Sequence, residues 1–245
     1  MKPHGISRIL ISIHLLFLLL TVSTQAQSRH RPPSGGRLAI IVDERLSALR
    51  ASPGLSGKLL QRISRGRFVA IQARKVTAEG IVFYRVKVTR RTAGWIQKEA
   101  IVSPAIEGDT EALWRLIQSS QDFDGLARAK IFLDAFPRSA LRARVLLLFA
   151  DTAESSAAKL SREAGRRLEQ VPVGSAPLFS YFLNYSGLDR YNRQGVRFIF
   201  DRQVKQFHYD GWAWREVLSQ YPHSPEAIEA RKRLALTQES RLSPR

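Results

Sequence analysis

The segment DGWAWREVLSQYPHSPEAIEARKRLAL, Asp210 to Leu236, shows the clearest helical pattern in the chain. Four of its apolar residues recur at the i, i+3, i+4, i+7 spacing of one helix face, namely Trp214, Val217, Leu218 and Tyr221. Pro222 follows directly, and proline cannot continue a helix because it lacks the amide hydrogen that a helix interior requires. The segment therefore predicts an amphipathic helix that ends before Pro222.

A second helix is predicted just after this turn. Ser224 is a preferred N-cap residue, Pro225 suits the first helical position, and Glu226 lies beside the positive end of the helix dipole. The apolar stripe of this returning helix is formed by Ala227, Ala230 and Leu234. The whole segment is therefore interpreted as a helix–turn–helix hairpin.

An earlier segment, DGLARAKIFLDAFPRSALRARVLLLFA at Asp124 to Ala150, has the same layout. Each copy has an Asp-Gly opening, a helical stretch, an aromatic-Pro-x-Ser turn and a second helical stretch. Both copies resemble tetratricopeptide (TPR) repeats, and YPHSPEAIEARKRL is similar to the long-loop TPRs of bacterial envelope proteins. The resemblance implies a helical domain whose concave face engages a protein partner. Stacked helical repeats generally need about three or more units, so the insert 151–209 is expected to complete the stack.

The sequence of the insert predicts a helix followed by a β-hairpin. DTAESSAAKLSREAGRRLEQV continues as a long helix that Val171-Pro172 and Gly174 end, and GVRFIFDRQVKQFHYDG alternates as a β-hairpin does. In that hairpin the apolar residues Val196, Phe198 and Phe200 face Phe207 and Tyr209.

The stretch between them, LNYSGLDRYNRQGVRFIFD at 183–201, packs charged and aromatic residues together. We interpret it as a loop that locks the insert onto the repeat helices, with Asp–Arg pairs at Asp189–Arg190 and Asp201–Arg202. Its predicted anchors are Leu183, Tyr185, Leu188 and Tyr191.

A further helix is predicted in DTEALWRLIQSS, with Asp109 as N-cap. Its apolar face is formed by Leu113, Leu116 and Ile117.

The N-terminal half has a different texture, with short β-like runs between turn signals. Leu38–Val42 and Phe68–Ala73 are predicted strands. Ile81–Val88 alternates, with Val82, Tyr84, Val86 and Val88 on one face and Arg85 and Lys87 on the other. Five or six such strands in about 65 residues predict a small barrel or a two-sheet sandwich.

These runs resemble a bacterial SH3-like (SH3b) domain over Leu38 to Val102. The resemblance rests on LSALRASPG, LLQRISRGRFVAI, FYRVKV and above all GWIQKEAIV. It implies a binding module, often for cell-wall peptides, with a ligand groove at Arg50, Tyr84 and Trp95. Aromatic-lined grooves suit extended peptides, which lose little entropy on binding. Core packing of Tyr84 and Trp95, and a plain surface charge at Arg50, remain the alternatives.

The chain departs from the SH3b pattern at two places. Ala51-Ser52-Pro53 stands where the family has Ser-Gly-Pro, and Phe83-Tyr84 stands where it has a mid-domain Trp.

The predicted fold class is thus a small all-β SH3-like barrel followed by an all-α TPR-like domain with a β-hairpin insert. The predicted boundaries are 1–26 for a signal peptide, 27–37 for a linker, 38–104 for the barrel, 105–238 for the helical domain (hairpins 124–150 and 210–236, insert 151–209) and 239–245 for a tail.

The N-terminus has the pattern of a secretory signal. Lys2 and Arg8 precede the apolar run Ile9–Val22, and Thr24 and Ala26 are suitably placed for cleavage after Ala26. The run is too short to span a bilayer, which takes about 20 apolar residues. A periplasmic or secreted protein with no transmembrane span after cleavage is therefore expected; an uncleaved anchor is the alternative. The chain has no cysteine, so no disulfide can support the fold.

The formal net charge of +18 is unevenly distributed. Residues 27–105 carry 16 Lys or Arg against 4 Asp or Glu, whereas residues 106–245 carry 21 against 17. This asymmetry suggests that the first segment meets an anionic envelope polymer or lipid head group. A solvated basic surface is the alternative interpretation, and nucleic acid ranks last among the partners because a secreted protein rarely meets it.

No catalytic, cofactor-binding or metal-binding motif is apparent in the sequence. The mature chain has three histidines, at His30, His208 and His223, so no His cluster for a metal is expected. The best acid–base set would be Asp189, Asp201, His208 and Asp210, which would suit glycan hydrolysis in the envelope. The leading interpretation is a non-enzymatic binding or scaffold protein without cofactor. An envelope hydrolase with a site around 189–210, or a basic module that binds anionic polymer, is the alternative.

Overall fold

A computed structural model of the chain describes residues 33–170 and 174–242, with side chains described as far as residue 237. All of these residues belong to one compact unit. The predicted signal peptide with its cleavage site, most of the linker 27–37, His30 and the Val171-Pro172 helix end lie outside the described residues.

The N-terminal part forms one seven-stranded antiparallel sheet with the order β3-β2-β6-β5-β4-β1-β7. Its strands are β1 (Arg37–Ile41), β2 (Ala48–Arg50), β3 (Leu59–Arg62), β4 (Phe68–Val76), β5 (Val82–Lys87), β6 (Ala93–Gln97) and β7 (Ile101–Val102). The predicted strands are found in β1, β4 and β5, and the sheet has more strands than the expected five or six.

One face of this sheet carries its own apolar core. Successive residues of a strand point to opposite faces, so directly paired residues share a face. The buried side chains of this inner face include Ala39, Ile41, Leu49, Val69, Tyr84, Val86, Ile96 and Ile101. On the other face, the end of the sheet at β1 and β7 packs against the helices. Ile40, Val42 and Val102 belong there to an apolar cluster shared with helix residues. The sheet and the helices are therefore joined by a common core.

The C-terminal part is mostly helical. Its elements are α1 (Asp109–Gln118), α2 (Asp122–Ala135), α3 (Arg142–Gln170), α4 (Leu178–Leu183), α5 (Asp189–Arg193), β8 (Phe198–Asp201), β9 (Gln206–Tyr209), α6 (Trp212–Gln220) and α7 (Pro225–Leu242). Both predicted helix–turn–helix segments are found, as α2–α3 and α6–α7. The predicted cap is found as well, because the amide of Ala227 donates to Ser224 Oγ at 3.2 Å. None of the helices in 33–170 and 174–242 is long and apolar enough to cross a membrane.

The start of α1 differs from the prediction. Gly108 is the N-cap, in a left-handed conformation at φ 79°, and Asp109 is already the first helical residue. The buried Asp109 carboxylate instead accepts a hydrogen bond from the amide of Ser103 at 2.8 Å. It thus ties the helix back to the end of the sheet.

The insert contains the predicted long helix and hairpin. α3 continues without a break from the first helix pair for 29 residues. In the hairpin Phe198 pairs with Tyr209 and Phe200 with Phe207, so these rings share the face that the alternation predicts. Phe207 and Tyr209 are buried against the helices.

The loop 183–201 differs from its interpretation in two respects. Leu183 is 51% exposed and anchors nothing, although Leu188 and Tyr191 are buried as predicted. The Asp–Arg pairs are wrong as well. The guanidinium of Arg190 lies 5.3 Å from the Phe123 ring centre and that of Arg202 lies 4.0 Å from the Phe179 ring centre. A guanidinium is attracted to the face of an aromatic ring, and an exposed Asp–Arg pair adds little stability, so both arginines lie over rings.

Candidate ligand-binding face of the sheet

The candidate site is a row of side chains across β3, β2, β6 and β5. Trp95 is paired with Arg50 of β2 and with Arg85 of β5, and Arg50 is in turn paired with Leu59 of β3. Directly paired residues share a face, so the indole of Trp95 lies between two arginines. This is the outer face of the sheet, opposite the core that contains Ile96.

Of the three predicted ligand-binding residues, the structure brings Arg50 and Trp95 together and separates Tyr84 from them. Tyr84 is paired with Ile96 and is 8% exposed within the inner core. Its neighbour Phe83, which stands with it in place of the family's Trp, is fully buried too. Trp95 is half-buried, which leaves part of its ring open to a ligand.

Two close approaches hold this row in place. The guanidinium of Arg50 donates to the carbonyl of Gly57 at 2.8 Å, which fixes the loop 51–57 over the strand. Gly94 brings β2 and β6 together, because a Cβ there would lie 2.7 Å from the Arg50 carbonyl oxygen and 2.8 Å from Leu49 Cγ. The glycine next to Trp95 is therefore needed for the position of Arg50 beside the indole.

The charge on the seven strands of the N-terminal sheet is entirely positive. Every charged residue of the seven strands is a cation: Arg37, Arg50, Arg62, Arg74, Lys75, Arg85 and Lys87. None of these seven forms an ion pair with any described residue. Acidic residues within 33–105 lie only between strands, at Asp43, Glu44, Glu79 and Glu99. The sheet therefore presents uncompensated positive charge.

The register divides these cations between the two faces. Arg85 and Lys87 alternate with buried Val86 and lie on the face of Trp95, whereas Arg74 is paired with Tyr84 and points the other way. Sequence reasoning placed Arg85 and Lys87 on the face opposite Tyr84 but did not include them in the site. The signal that could have found them was the alternation of β5 combined with the pairing of β6.

Two carboxylates of the acid–base set have another use, and the third, Asp189, is exposed at the start of α5. Asp201 accepts the amide of Gln203 at 2.8 Å and Asp210 accepts the amide of Trp212 at 2.9 Å, so both cap turns. His208 contacts Glu154 of α3, with Nδ1 3.1 Å from Oε1. Among the described residues no group of three or more His, Asp or Glu could hold a metal ion.

A cleft of about 520 Å³ lies between β7 and α1, with Lys98, Glu99 and Arg115 at its polar side. Asp109 lines it too, and burial raises the pKa of this carboxyl, partly offset by the hydrogen bond from Ser103. Positive and negative side chains balance here, in contrast to the face of Trp95.

The arrangement around Trp95 supplies an aromatic surface and guanidinium donors, and it contains no nucleophile with an adjacent base. Groups of these kinds can bind ligands: guanidinium groups bind carboxylates or phosphates, and an indole binds flat or extended apolar groups. No family model, no curated protein and no solved structure matches this chain.

Proposed function

We propose that this chain is a secreted or periplasmic, non-enzymatic binding protein. Its sheet acts as a small SH3b-like barrel that engages a cell-wall peptide or another envelope ligand at Arg50, Trp95 and Arg85. The observation that supports this most is the cross-strand row in which Trp95 lies between two arginines that have no ion-pair partner. Tyr84 supports the row from the core side of the sheet and does not contact the ligand.

The physical basis is complementarity to an extended, acidic ligand. A rigid indole offers a large contact area at a small entropic cost, because it has few rotatable bonds. Arg50 gives one donor to the Gly57 carbonyl, but neither Arg50 nor Arg85 has an ion pair with a described residue, so further guanidinium donors stay available. Bonds from such donors to carboxylates are charge-assisted and stronger than neutral ones. An extended peptide with carboxylates would satisfy both parts of the row.

The helices are proposed to act as TPR-like hairpins that engage a protein partner. Supporting this, three large apolar side chains of α6 and α7 are exposed, namely Trp212, Ile228 and Leu236. We propose these three side chains as part of the contact surface.

The direct test is a pull-down onto purified peptidoglycan sacculi with a matched pair of variants. Arg85→Gln and Arg74→Gln each remove one exposed cation, from adjacent strands, but only Arg85 lies on the face of Trp95. Arg85→Gln and Trp95→Ala are expected to weaken binding by about tenfold or more, and Arg74→Gln to leave it within about twofold. Equal binding by Trp95→Ala and the unchanged protein would remove this face from the mechanism.

A second candidate, a module that binds anionic polymer, is favoured by one observation: all charged side chains on the seven strands of the N-terminal sheet are cations. Such binding depends on total charge and falls steeply as salt rises, because counterions are released. Under this alternative Arg74→Gln and Arg85→Gln weaken binding equally, and Trp95→Ala has little effect. Repeating the pull-down at several salt concentrations therefore separates the two functions.

A further inference from the structure

The strand β3 is an uncovered edge of the seven-stranded sheet. It stands at one end of the strand order, and within the described chain it pairs with β2 alone. All four of its residues, Leu59–Arg62, are exposed, so no described element covers it. The side chains include two large apolar ones, since Leu59 is 48% exposed and Leu60 is 47% exposed. Proteins normally protect an edge of this kind, because it pairs readily with another extended chain.

The backbone of β3 has hydrogen-bonding groups available for such a chain. The residues of an antiparallel strand bond alternately to one side and to the other. At the two ends of β3 the bonds to β2 are made by the Lys58 carbonyl, which accepts from the Ala51 amide at 2.9 Å, and by the Ile63 amide, which donates to the carbonyl just before β2 at 3.1 Å. The neighbouring residues Leu59 and Arg62 therefore point their amides and carbonyls away from β2.

The side chains of these two residues lie on one face of the sheet. Leu59 is paired with Arg50 and Arg62 with Ala48, and a bulge leaves Leu60 without a partner in this register. Arg50 and Ala48 are two residues apart in β2, so they share the outer face. A strand added at this edge would therefore meet an apolar and a cationic side chain on the same face.

Charge selects the kind of chain that fits this edge. Residues 45–78 contain eight Lys or Arg and no Asp or Glu. Three of these cations, Arg50, Lys58 and Arg62, lie on β3 or directly beside it, and none of them forms an ion pair with a described residue. A second copy of this chain would bring like charges opposite one another, which is destabilising, whereas the carboxylates of an acidic segment would be attracted.

The loop before β3 holds this edge in place. The amide of Gly57 donates to the carbonyl of Gly54 at 3.2 Å, and the Gly57 carbonyl accepts from Arg50 at 2.8 Å. A Cβ on Gly57 would lie 2.6 Å from the carbonyl oxygen of Ser52, so the loop closes tightly at this glycine. An edge that is already ordered loses little conformational entropy when a partner binds.

We propose that the edge of β3 binds an extended acidic segment of a partner protein, which adds to the sheet as a further strand. The backbone groups of Leu59 and Arg62 pair with the segment, Leu59 contacts an apolar side chain, and Arg62 contacts a carboxylate. In this mode the main chain supplies affinity and alternate side chains supply specificity. Trp95 lies two strands inward, roughly 10 Å away at about 4.8 Å per strand, so this surface and the proposed ligand face can fail independently.

The first experiment titrates the full chain with three synthetic peptides. The acidic peptide has eight residues, with threonine at every second position and valine and glutamate alternating between them, so that valine and glutamate share one face. The basic peptide has lysine in place of glutamate, and the methylated peptide keeps the acidic sequence but has methyl groups on its backbone amides. Calorimetry is expected to show saturable binding of the acidic peptide and binding weaker by about tenfold or more for the other two.

Three results of this titration would contradict the proposal. Equal binding of the methylated peptide would overturn strand addition, because that peptide has the same side chains and cannot donate from its backbone. Equal binding of the basic peptide would overturn the acidic partner. No saturation by the acidic peptide would overturn the surface itself.

Leu59→Pro is the sharpest variant, because proline removes an amide that points away from β2 and leaves the bonds between β2 and β3 in place. It is expected to weaken binding of the acidic peptide by about tenfold or more, whereas Trp95→Ala leaves that binding within about twofold. Thermal unfolding of each variant is measured alongside. Unchanged peptide binding by a folded Leu59→Pro protein would contradict the assignment.

Arg62→Glu and Arg74→Glu form a matched pair that tests the edge without changing the backbone. Each reverses one exposed cation, but Arg74 lies on β4, with three strands between it and β3. Arg62→Glu is expected to weaken binding of the acidic peptide by about tenfold or more and Arg74→Glu to leave it within about twofold. Equal effects would mean that total charge governs binding, which would overturn the proposal.

Sedimentation of the unchanged protein and of Leu59→Pro tests the other possible occupant of the edge. Both are expected to have the same oligomeric state, because like charges oppose pairing of β3 with a second copy. A dimer that Leu59→Pro converts into a monomer would assign the edge to a second copy of this chain and would overturn the acidic partner.

Discussion

The guanidinium of Arg128 lies 3.6 Å from the carboxylate of Asp43, and both side chains are only 5% exposed. Arg128 belongs to α2 and Asp43 follows β1, so the pair crosses from the helices to the sheet. Arg128 also donates from Nε to the carbonyl of Val42 at 3.2 Å and from Nη1 to Ser120 Oγ at 2.6 Å. One buried cation therefore holds three groups at the junction.

Replacing Arg128 by methionine is expected to lower the free energy of unfolding by about 3 kcal/mol. Removing one partner of a buried pair leaves the other partly uncompensated, and here a buried carbonyl loses its donor as well. Urea denaturation measures the change. Arg115→Met, an exposed cation of α1 without an ion pair to a described residue, is the control and is expected to shift stability by less than about 0.5 kcal/mol. Equal stability of both variants would show that the junction does not depend on Arg128.

Asp43 is expected to stabilise the fold in a pH-dependent way. Its hydrogen bond from Arg45, more than the nearby charges, holds the pKa of Asp43 below the ordinary 3.8. A lowered pKa in the folded state means that the stabilisation is present above the unfolded value and is lost as pH falls through the folded value. Asp43→Asn should therefore be less stable than the unchanged protein at pH 7, and the difference should shrink below about pH 3.8. Chemical denaturation across pH measures it; a constant difference down to strongly acidic pH would contradict the linkage.

Asp109 should show the opposite sign. Burial raises the pKa of this carboxyl above 3.8, so the folded state holds the proton more tightly than the unfolded state, and ionisation removes stability as pH rises above that value. Asp109→Asn keeps an oxygen that accepts the Ser103 amide and removes the buried charge. The variant is expected to be at least as stable as the unchanged protein at pH 7, with its advantage vanishing in acid. A lower melting temperature for this variant at pH 7 would mean that the helix dipole outweighs burial.

Tyr209→Phe tests a buried hydroxyl at the start of α6. The Tyr209 oxygen accepts the amide of Ala213 at 3.0 Å, and the ring is 1% exposed. Its removal leaves that amide without an acceptor, which is expected to lower the free energy of unfolding by about 1–3 kcal/mol. Tyr221→Phe is the control, since the hydroxyl of this half-buried residue makes no hydrogen bond with the described residues. Its change should stay below about 0.5 kcal/mol. Similar losses in both would show that the hydrogen bond from the Ala213 amide is not what makes the Tyr209 hydroxyl matter.

Two glycine-to-alanine changes are expected to act in opposite directions. Gly94→Ala places a Cβ 2.7 Å from the Arg50 carbonyl oxygen, so β2 must move away from β6, and both stability and ligand capture should fall. Gly165→Ala in α3 meets nothing within 4 Å and should raise stability by about 0.5–1 kcal/mol, because glycine is a poor helix former. Thermal unfolding distinguishes them, and a Gly94→Ala protein as stable as the parent would show that the strands can separate without loss.

Features that depend on neighbours in the chain were predictable from the sequence, and contacts between distant residues were not. Spacing and capping residues predicted both helix pairs, the Ser224 cap and the pairing of Phe200 with Phe207, because those features depend on neighbours in the chain. The role of Arg128 could not be predicted, since its partner Val42 lies 86 residues away. Nor could the stacking of Arg202 on Phe179, which replaces the expected pair with Asp201.

The candidate site was likewise predictable only in part. The tryptophan and one flanking arginine were candidates through the resemblance to SH3b domains, whereas Arg85 required the register of β5 against β6. The same register pairs Tyr84 with Ile96 and so puts its side chain on the opposite face of the sheet from Trp95. The resemblance alone did not show this, because a shift of one residue exchanges the two faces of a strand.

The continuity of α3 couples local unfolding across the helical part. This one helix contacts α2, α4, β9, α6 and α7. Both helix pairs therefore pack on the same helix, because α3 belongs to the first pair and contacts both helices of the second. Local opening of α3 removes packing contacts from all of these elements. Hydrogen exchange in these elements should consequently be concerted, with slow amides distributed over both helix pairs instead of being confined to one of them.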